Sequence, residues 1–300
     1  MDQIRIIEVS PRDGLQNEKV PVPTSAKASL IVSLREAGLE EIEVSSFVSP
    51  KWVPQLGDVS ELWPLLPQGG LYSALVPNAR GYENAKALGV SRISVFTASS
   101  SAFTLKNINM TVAESLDGFR PILKEHEGFK RAYVSTIFEC PYAGRIEPAA
   151  VAKLAEELFE IGADEISLGD TIGVGTPSEV TQLHEAIRHL DHQKIVWHFH
   201  DTRGTAIANV AKALELGYRS FDASAGGLGG CPYAKGAGGN LATEDLVYFA
   251  HREGLTTGVD LLKLSQATLP IFEILDRPPT AKVQLAALAE WRSSQESAQQ

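Results

Sequence analysis

The chain has 300 residues, 44% hydrophobic and 21% charged, which suits a globular protein with one large core or two small ones. A formal net charge of −10 excludes a polyanion as the main partner, because nucleic-acid binding rests on a basic face that neutralises phosphates. No apolar run is long enough to span a bilayer, and no basic segment with an apolar run and cleavage site precedes the first strand at about Ile4, so no membrane partner and a cytoplasmic location are expected.

In chain order, a strand over Arg5 to Ser10 ends in Pro11-Arg12-Asp13-Gly14, and a helical pattern from Thr24 to Ala37 closes at Gly38. This strand-loop-helix unit recurs. Glu41 to Ser45 precedes a helix near Val59 to Leu65, Tyr72 to Val76 precedes Gly81 to Leu88, and Arg92 to Thr97 precedes Val112 to His126. Arg131 to Phe138 then leads to Pro148 to Ile161, and Glu165 to Leu168 to Pro177 to Leu190. The last two units join Ile195 to Phe199 with Thr205 to Leu216, and Ser220 to Ser224 with Thr243 to Glu253. Eight such units imply right-handed crossovers and predict an α/β fold, a single closed (β/α)₈ TIM barrel over residues 1–255. Two further helical patterns, Val259 to Leu275 and Ala281 to Trp291, predict a helical extension over 256–291 packed on the barrel or at an oligomer contact. The polar residues 292–300 are expected to be disordered.

Within Ile195-Val196-Trp197-His198-Phe199-His200-Asp201, residues two apart share a strand face, so His198 and His200 project together while Trp197 and Phe199 point the other way. That is half of a metal site at the carboxyl end of a strand, where such barrels gather catalytic groups. The same rim receives Arg12 and Asp13 after strand one, Glu43 on strand two, Asp170 after strand six, and Cys231 and Asn240 after strand eight. Nitrogen and oxygen donors without a thiolate favour a divalent cation such as Mg²⁺ or Mn²⁺, with zinc left open. Cys140 and Cys231 read as reduced thiols.

The run Gly226-Gly227-Leu228-Gly229-Gly230-Cys231 through Gly236-Ala237-Gly238-Gly239-Asn240 matches no nucleotide-phosphate loop. It reads as a mobile loop over the rim that delivers the Cys231 thiol.

Four long blocks carry a resemblance: Pro11-Arg12-Asp13-Gly14-Leu15-Gln16-Asn17-Glu18, Ser46-Phe47-Val48-Ser49-Pro50-Lys51-Trp52-Val53-Pro54-Gln55, Ile166-Ser167-Leu168-Gly169-Asp170-Thr171-Ile172-Gly173-Val174-Gly175 and Gly227-Leu228-Gly229-Gly230-Cys231-Pro232-Tyr233. From about Ile4 to Asp260 the chain resembles the 3-hydroxy-3-methylglutaryl-CoA lyases, metal-dependent TIM-barrel carbon-carbon lyases with an Asp-Arg-Glu constellation. The resemblance implies cleavage of 3-hydroxy-3-methylglutaryl-CoA to acetyl-CoA and acetoacetate. It implies Asp13, His198, His200 and Asn240 as cation ligands, Arg12 and Glu43 as the catalytic pair, Asp170 as a substrate-positioning acid, and Cys231 as the loop cysteine that protonates the departing enolate. An acyl-CoA substrate, a homo-oligomer (a dimer) and a place in leucine degradation are implied with it.

Lys19, Lys51, Lys106, Arg145 and Lys235 lie in rim loops where CoA phosphates would arrive. One position departs from the family pattern: Arg203 stands where many members carry Tyr, and is expected either to contact a substrate anion or to pair with an acid outside the pocket. The competing expectations are a lyase of the same chemistry for a longer or differently substituted 3-hydroxyacyl-CoA, and an acetyl-CoA-dependent condensing synthase. Such synthases usually add a regulatory domain, for which the sequence has no room. A non-catalytic scaffold is the third, and a rim this fully equipped argues against it.

Overall fold

The computed structural model describes residues 2–229 and 239–298. Its strands are β1 (Arg5–Glu8), β2 (Glu41–Ser46), β3 (Leu71–Leu75), β4 (Arg92–Ala98), β5 (Phe129–Ser135), β6 (Glu165–Asp170), β7 (Ile195–Phe199) and β8 (Ser220–Ala223). All pair in parallel and close into one barrel in sequence order, with β8 against β1 from Arg5↔Ser220 to Glu8↔Ala223. Each strand is followed by a helix, as the alternation of β-periodic and helix-periodic segments predicts. Among the described residues no helix is long and apolar enough to cross a membrane.

Strand parity sets what lies inside. Trp197 and Phe199 are fully buried, stacked at 5.3 Å with Tyr218 edge-on to Trp197, in the layer between strands and helices. The alternate residues face the barrel interior, which is unusually polar toward the strand starts. There the buried Arg131 pairs with Glu41 at 3.0 Å, Glu165 at 2.5 Å and Asp222 at 3.5 Å, while Arg5 and Arg92 reach Glu41 from the sides. A buried charge is tolerable only when neutralised and hydrogen-bonded, so this cluster holds six strands in one relative register.

Several elements differ from the sequence expectation. The second helix is one turn, Val59–Leu62, because Pro64 tightens the chain into a 3₁₀ turn over Trp63–Leu65. Strand β5 stops at Ser135, where Thr136 takes φ 60°, and the chain continues as a short antiparallel ribbon of Glu139–Cys140 with Gly144–Arg145. An additional helix, Ser101–Ile108, follows β4. The pattern expected from Val259 to Leu275 is two helices, Leu261–Ala267 and Leu269–Ile274, since Pro270 cannot donate to the preceding turn. The last helix is Lys282–Ala298 and runs through residues expected to be irregular; no glycine or proline after Ala281 interrupts it.

Candidate active site

Immediately after β1 the chain makes one π-helical turn, Ser10–Gly14, in which the amides of Asp13 and Gly14 both donate to the carbonyl of Val9, at 2.8 and 3.1 Å. Pro11 suits the start of this turn because its missing N–H has no partner to lose there. Gly14 has no room for a side chain: a Cβ would lie 2.9 Å from Ser224 Oγ and 3.0 Å from Leu228 Cβ. The turn therefore presses against the segment after β8 and aims Arg12 and Asp13 into the barrel mouth.

Arg12 is buried between two carboxylates. Its Nε donates to Glu43 on β2 and its Nη1 to Asp13 Oδ1 at 2.7 Å, while Ser94 Oγ on β4 donates to the second oxygen of the fully buried Glu43. The guanidinium carbon stands 5.3 Å from the ring centre of Tyr133 on β5. Burial works against the Arg12 charge, but Glu43 and then Asp13 outweigh it and raise its pKa, so the fork is a permanent cation in a dry place.

Across the mouth, His198 and His200 project together as their spacing requires. Their Nε2 atoms are 3.2 Å apart, and His198 Nε2 lies 3.9 Å from Asp13 Oδ2. One donor atom from each of Asp13, His198 and His200 falls within a 4.8 Å cluster. The returning end of the glycine-rich segment completes the group. Residue 240 bridges antiparallel to His200, with the Asp201 amide on the Gly239 carbonyl at 3.1 Å and the Leu241 amide on the Phe199 carbonyl at 3.0 Å. This pairing sets Asn240 beside Asp13, its Nδ2 donating to Asp13 Oδ2 at 2.8 Å.

The donor set fits a divalent cation. Burial opposes the Asp13 charge, yet Arg12 and then the two histidines hold its carboxyl down at about 2, so it is ionised at neutral pH. Burial and then His198 push His200 down to about 4, leaving a neutral imidazole with a lone pair. His200 Nδ1 and Asn240 Oδ1 are buried with no hydrogen-bond partner among the described residues, a costly state for polar atoms that a ligand at this position would relieve. His198 Nδ1 meets Asp222 Oδ2 at 3.1 Å, and Asp222 also accepts from Ser167 Oγ at 2.6 Å and from Arg131. This carboxylate–imidazole pair turns the other ring nitrogen toward His200 and Asp13.

Asp13, Arg12, His198, His200 and Tyr133 share a cleft of about 790 Å³ whose other lining residues include Trp52, Phe96, Phe103, Lys106 and Met110. Of the basic rim residues, Lys106 lines it, and Arg145 instead donates to Gln182 at 3.1 Å; Lys235 lies outside the described residues. Cys231 lies outside them as well. Tyr133, Ser167 and Asp222 were not read from the sequence. Their signal was there: β5, β6 and β8 each carry polar residues at alternate, inward positions, such as Arg131-Ala132-Tyr133 and Ser220-Phe221-Asp222.

Two expected residues turn elsewhere. Asp170, at the end of β6, spends its carboxylate on the backbone amides of Val174 (3.0 Å) and Gly175 (2.8 Å), shaping the following loop rather than facing the cleft. Burial outweighs these two donors and lifts its carboxyl to about 6. A folded value above the unfolded one, about 3.9, means this group favours the fold fully below about pH 4. That contribution, up to ~3 kcal/mol, is lost as pH rises through 6. Urea midpoints across this interval should fall in the parent and stay flatter in Asp170→Asn; parallel curves would sink the assignment. Arg203 is exposed, and its Nη1 donates to the carbonyls of Ile172 at 2.7 Å and Gly173 at 3.1 Å. Among the described residues it forms no ion pair and does not line the cleft, although its charge acts to lower the pKa of Asp170; it ties the loop after β7 to the loop after β6.

The HMGL-like family model matches residues 3–269. The hydroxymethylglutaryl-CoA lyase of Pseudomonas mevalonii is 47% identical over 99% of this chain and 100% of its own length. A Pseudomonas aeruginosa enzyme named 3-hydroxy-3-isohexenylglutaryl-CoA/hydroxy-methylglutaryl-CoA lyase is 44% identical over 96% of this chain and 98% of its own. The crystal structure of hydroxymethylglutaryl-CoA lyase from Pseudomonas aeruginosa superposes with a TM-score of 0.94 at 44% identity, over 96% of this chain and 98% of that one.

Proposed function

This chain belongs to the HMGL-like family, and from that premise we propose that it cleaves 3-hydroxy-3-methylglutaryl-CoA to acetyl-CoA and acetoacetate with a divalent cation, Mg²⁺ or Mn²⁺. The observation that carries this reading is the meeting, in one cleft, of the Arg12–Glu43 pair with the donors of Asp13, His198 and His200. A divalent cation would be held by these three and Asn240, and would supply Lewis acidity to the reacting hydroxyl group.

The chain's own groups do the rest. In the reaction the hydroxyl proton passes to a carboxylate of the site, the ionised Asp13; the bond between the hydroxyl-bearing carbon and the thioester α-carbon breaks, leaving the former as the ketone of acetoacetate, and its electron pair passes to the thioester as an enolate. Arg12, itself buried and held by Glu43, presents a charged fork to that enolate oxygen, a fixed charge that needs no reorganisation as the negative charge develops. Cys231 supplies a thiol, a group able to return a proton to the enolate carbon and so complete acetyl-CoA. The apolar part of the wall, Trp52, Phe96, Phe103 and Met110, suits a pantetheine arm. Together with the dual name of the Pseudomonas aeruginosa relative, it also favours a second reading, in which a longer 3-hydroxyacyl-CoA is accepted. A cytoplasmic homodimer acting in leucine degradation extends the reading.

Lys106 stands exposed on the helix Ser101–Ile108 at the cleft, placed to meet a phosphate. Lys106→Glu should raise KM for the thioester about tenfold with kcat near the parent value, the scale of one charge-assisted contact; an unchanged KM would remove it from CoA binding.

The test of the function is turnover of 3-hydroxy-3-methylglutaryl-CoA with Mn²⁺ and after chelation, following both products. Equal amounts of acetyl-CoA and acetoacetate, formed only with metal, are expected. If none form although Mn²⁺ binds, the acyl group is wrong and longer thioesters take its place.

A further inference from the structure

The helices after the barrel, which a minimal barrel does not need, reach back to the loops that carry the metal donors. The helix Leu269–Ile274 ends where Asp276 takes φ 50° and the Arg277 amide closes on the Phe272 carbonyl at 3.2 Å. This turn sets the Arg277 guanidinium 5.3 Å from the Phe272 ring centre and in an ion pair with Glu18, five residues beyond Asp13. The pair is partly sheltered, its side chains 33% and 17% exposed. Phe272 in turn packs against Gly226, where a Cβ would fall 2.5 Å from the ring, and Thr280 Oγ1 lies 3.5 Å from the Gly226 carbonyl. Gly226 opens the segment whose Leu228 carbonyl accepts from Asn240 and crowds Gly14.

We propose that Arg277, paired with Glu18 and seated on Phe272, is a positioning residue through which the C-terminal extension braces both loops of the metal site at once. The Asp13 loop is held through Glu18 and the Asn240 side through Gly226. The donors then keep their separation without a ligand between them, which is preorganisation supplied from outside the barrel. The cation readout rests on the proposed function, so the test has a second readout that does not.

Arg277→Gln, Glu18→Gln and the reciprocal double variant Glu18→Arg with Arg277→Glu should be compared in the full chain. Amide exchange in residues 10–18 and 224–229 should quicken about fivefold in either single variant, the upper range for a half-sheltered ion pair. Exchange in β4 and β5 should be unchanged. Mn²⁺ affinity and kcat should fall by a similar factor with KM steady, and the reciprocal variant should recover most of each. Parent-like exchange in both single variants, or loss confined to the melting temperature, would overturn the brace. A parent that binds no Mn²⁺, with the exchange change still present in the single variants, would overturn the cation reading and leave the brace standing.

Discussion

An Arg12→Gln protein is expected to bind Mn²⁺ and substrate nearly as the parent does and to lose about 10²- to 10³-fold in kcat, the scale seen when one preorganised oxyanion donor is removed. Two contacts orient the guanidinium, Nε to Glu43 and Nη1 to Asp13 at 2.7 Å, and its face lies toward Tyr133. What remains of the fork is turned to the cleft that Arg12 helps line. The enolate charge exists only along the reaction, so its loss should appear in kcat rather than KM. Glu43 is fully buried and would lose its cationic partner, so melting temperature must be followed in parallel. Arg12→Lys keeps the charge and separates the two effects: a point charge cannot span Glu43 and the substrate as a planar fork does. Turnover within about threefold of the parent in a folded Arg12→Gln protein would take the guanidinium out of the chemistry.

Asp222→Asn should weaken Mn²⁺ binding by about 10- to 100-fold, the usual cost of losing the carboxylate behind a metal-bound imidazole. Burial opposes the Asp222 charge, but the His198 hydrogen bond and then Arg131 lower its pKa, so it faces His198 as an anion. The same carboxylate raises the His198 pKa against burial, which makes the ring a stronger donor at Nε2. An asparagine can still accept from Nδ1, but it brings no charge and leaves Arg131 with less compensation. Calorimetric titration with Mn²⁺ reads the effect directly, and a parent-like isotherm would mean that Asp222 serves only the buried ion cluster.

What could be read from the residues follows from what is local. The shared direction of His198 and His200 is a property of one strand, and the structure keeps it. The same holds for Pro11 at the turn after β1 and for the eight alternating units. After the barrel the structure is helical, with a break at Thr268 and a last helix that runs to Ala298. Pro270 accounts for the break, and a polar composition is compatible with a regular helix where no glycine or proline interrupts it. Asp170 was placed at the correct strand end, yet its carboxylate turns to two backbone amides. Which way a side chain turns at a strand end depends on the path of the loop beyond it, and periodicity carries no record of that path. For Arg203 the same reason applies, since its partners are carbonyls 30 and 31 residues away.

By itself the sequence determined which residues face the barrel interior and where the chain turns, because strand parity and the chemistry of turn and cap residues act over a few neighbouring positions. The tertiary structure alone decided which inward groups meet. Asp222 stands behind His198 because β8 registers Asp222 against His198, and Glu43 receives Arg12 because β1 and β2 are neighbours in a closed ring. Barrel closure and strand register convert residues tens of positions apart into contacts near 3 Å, and no single segment contains that information.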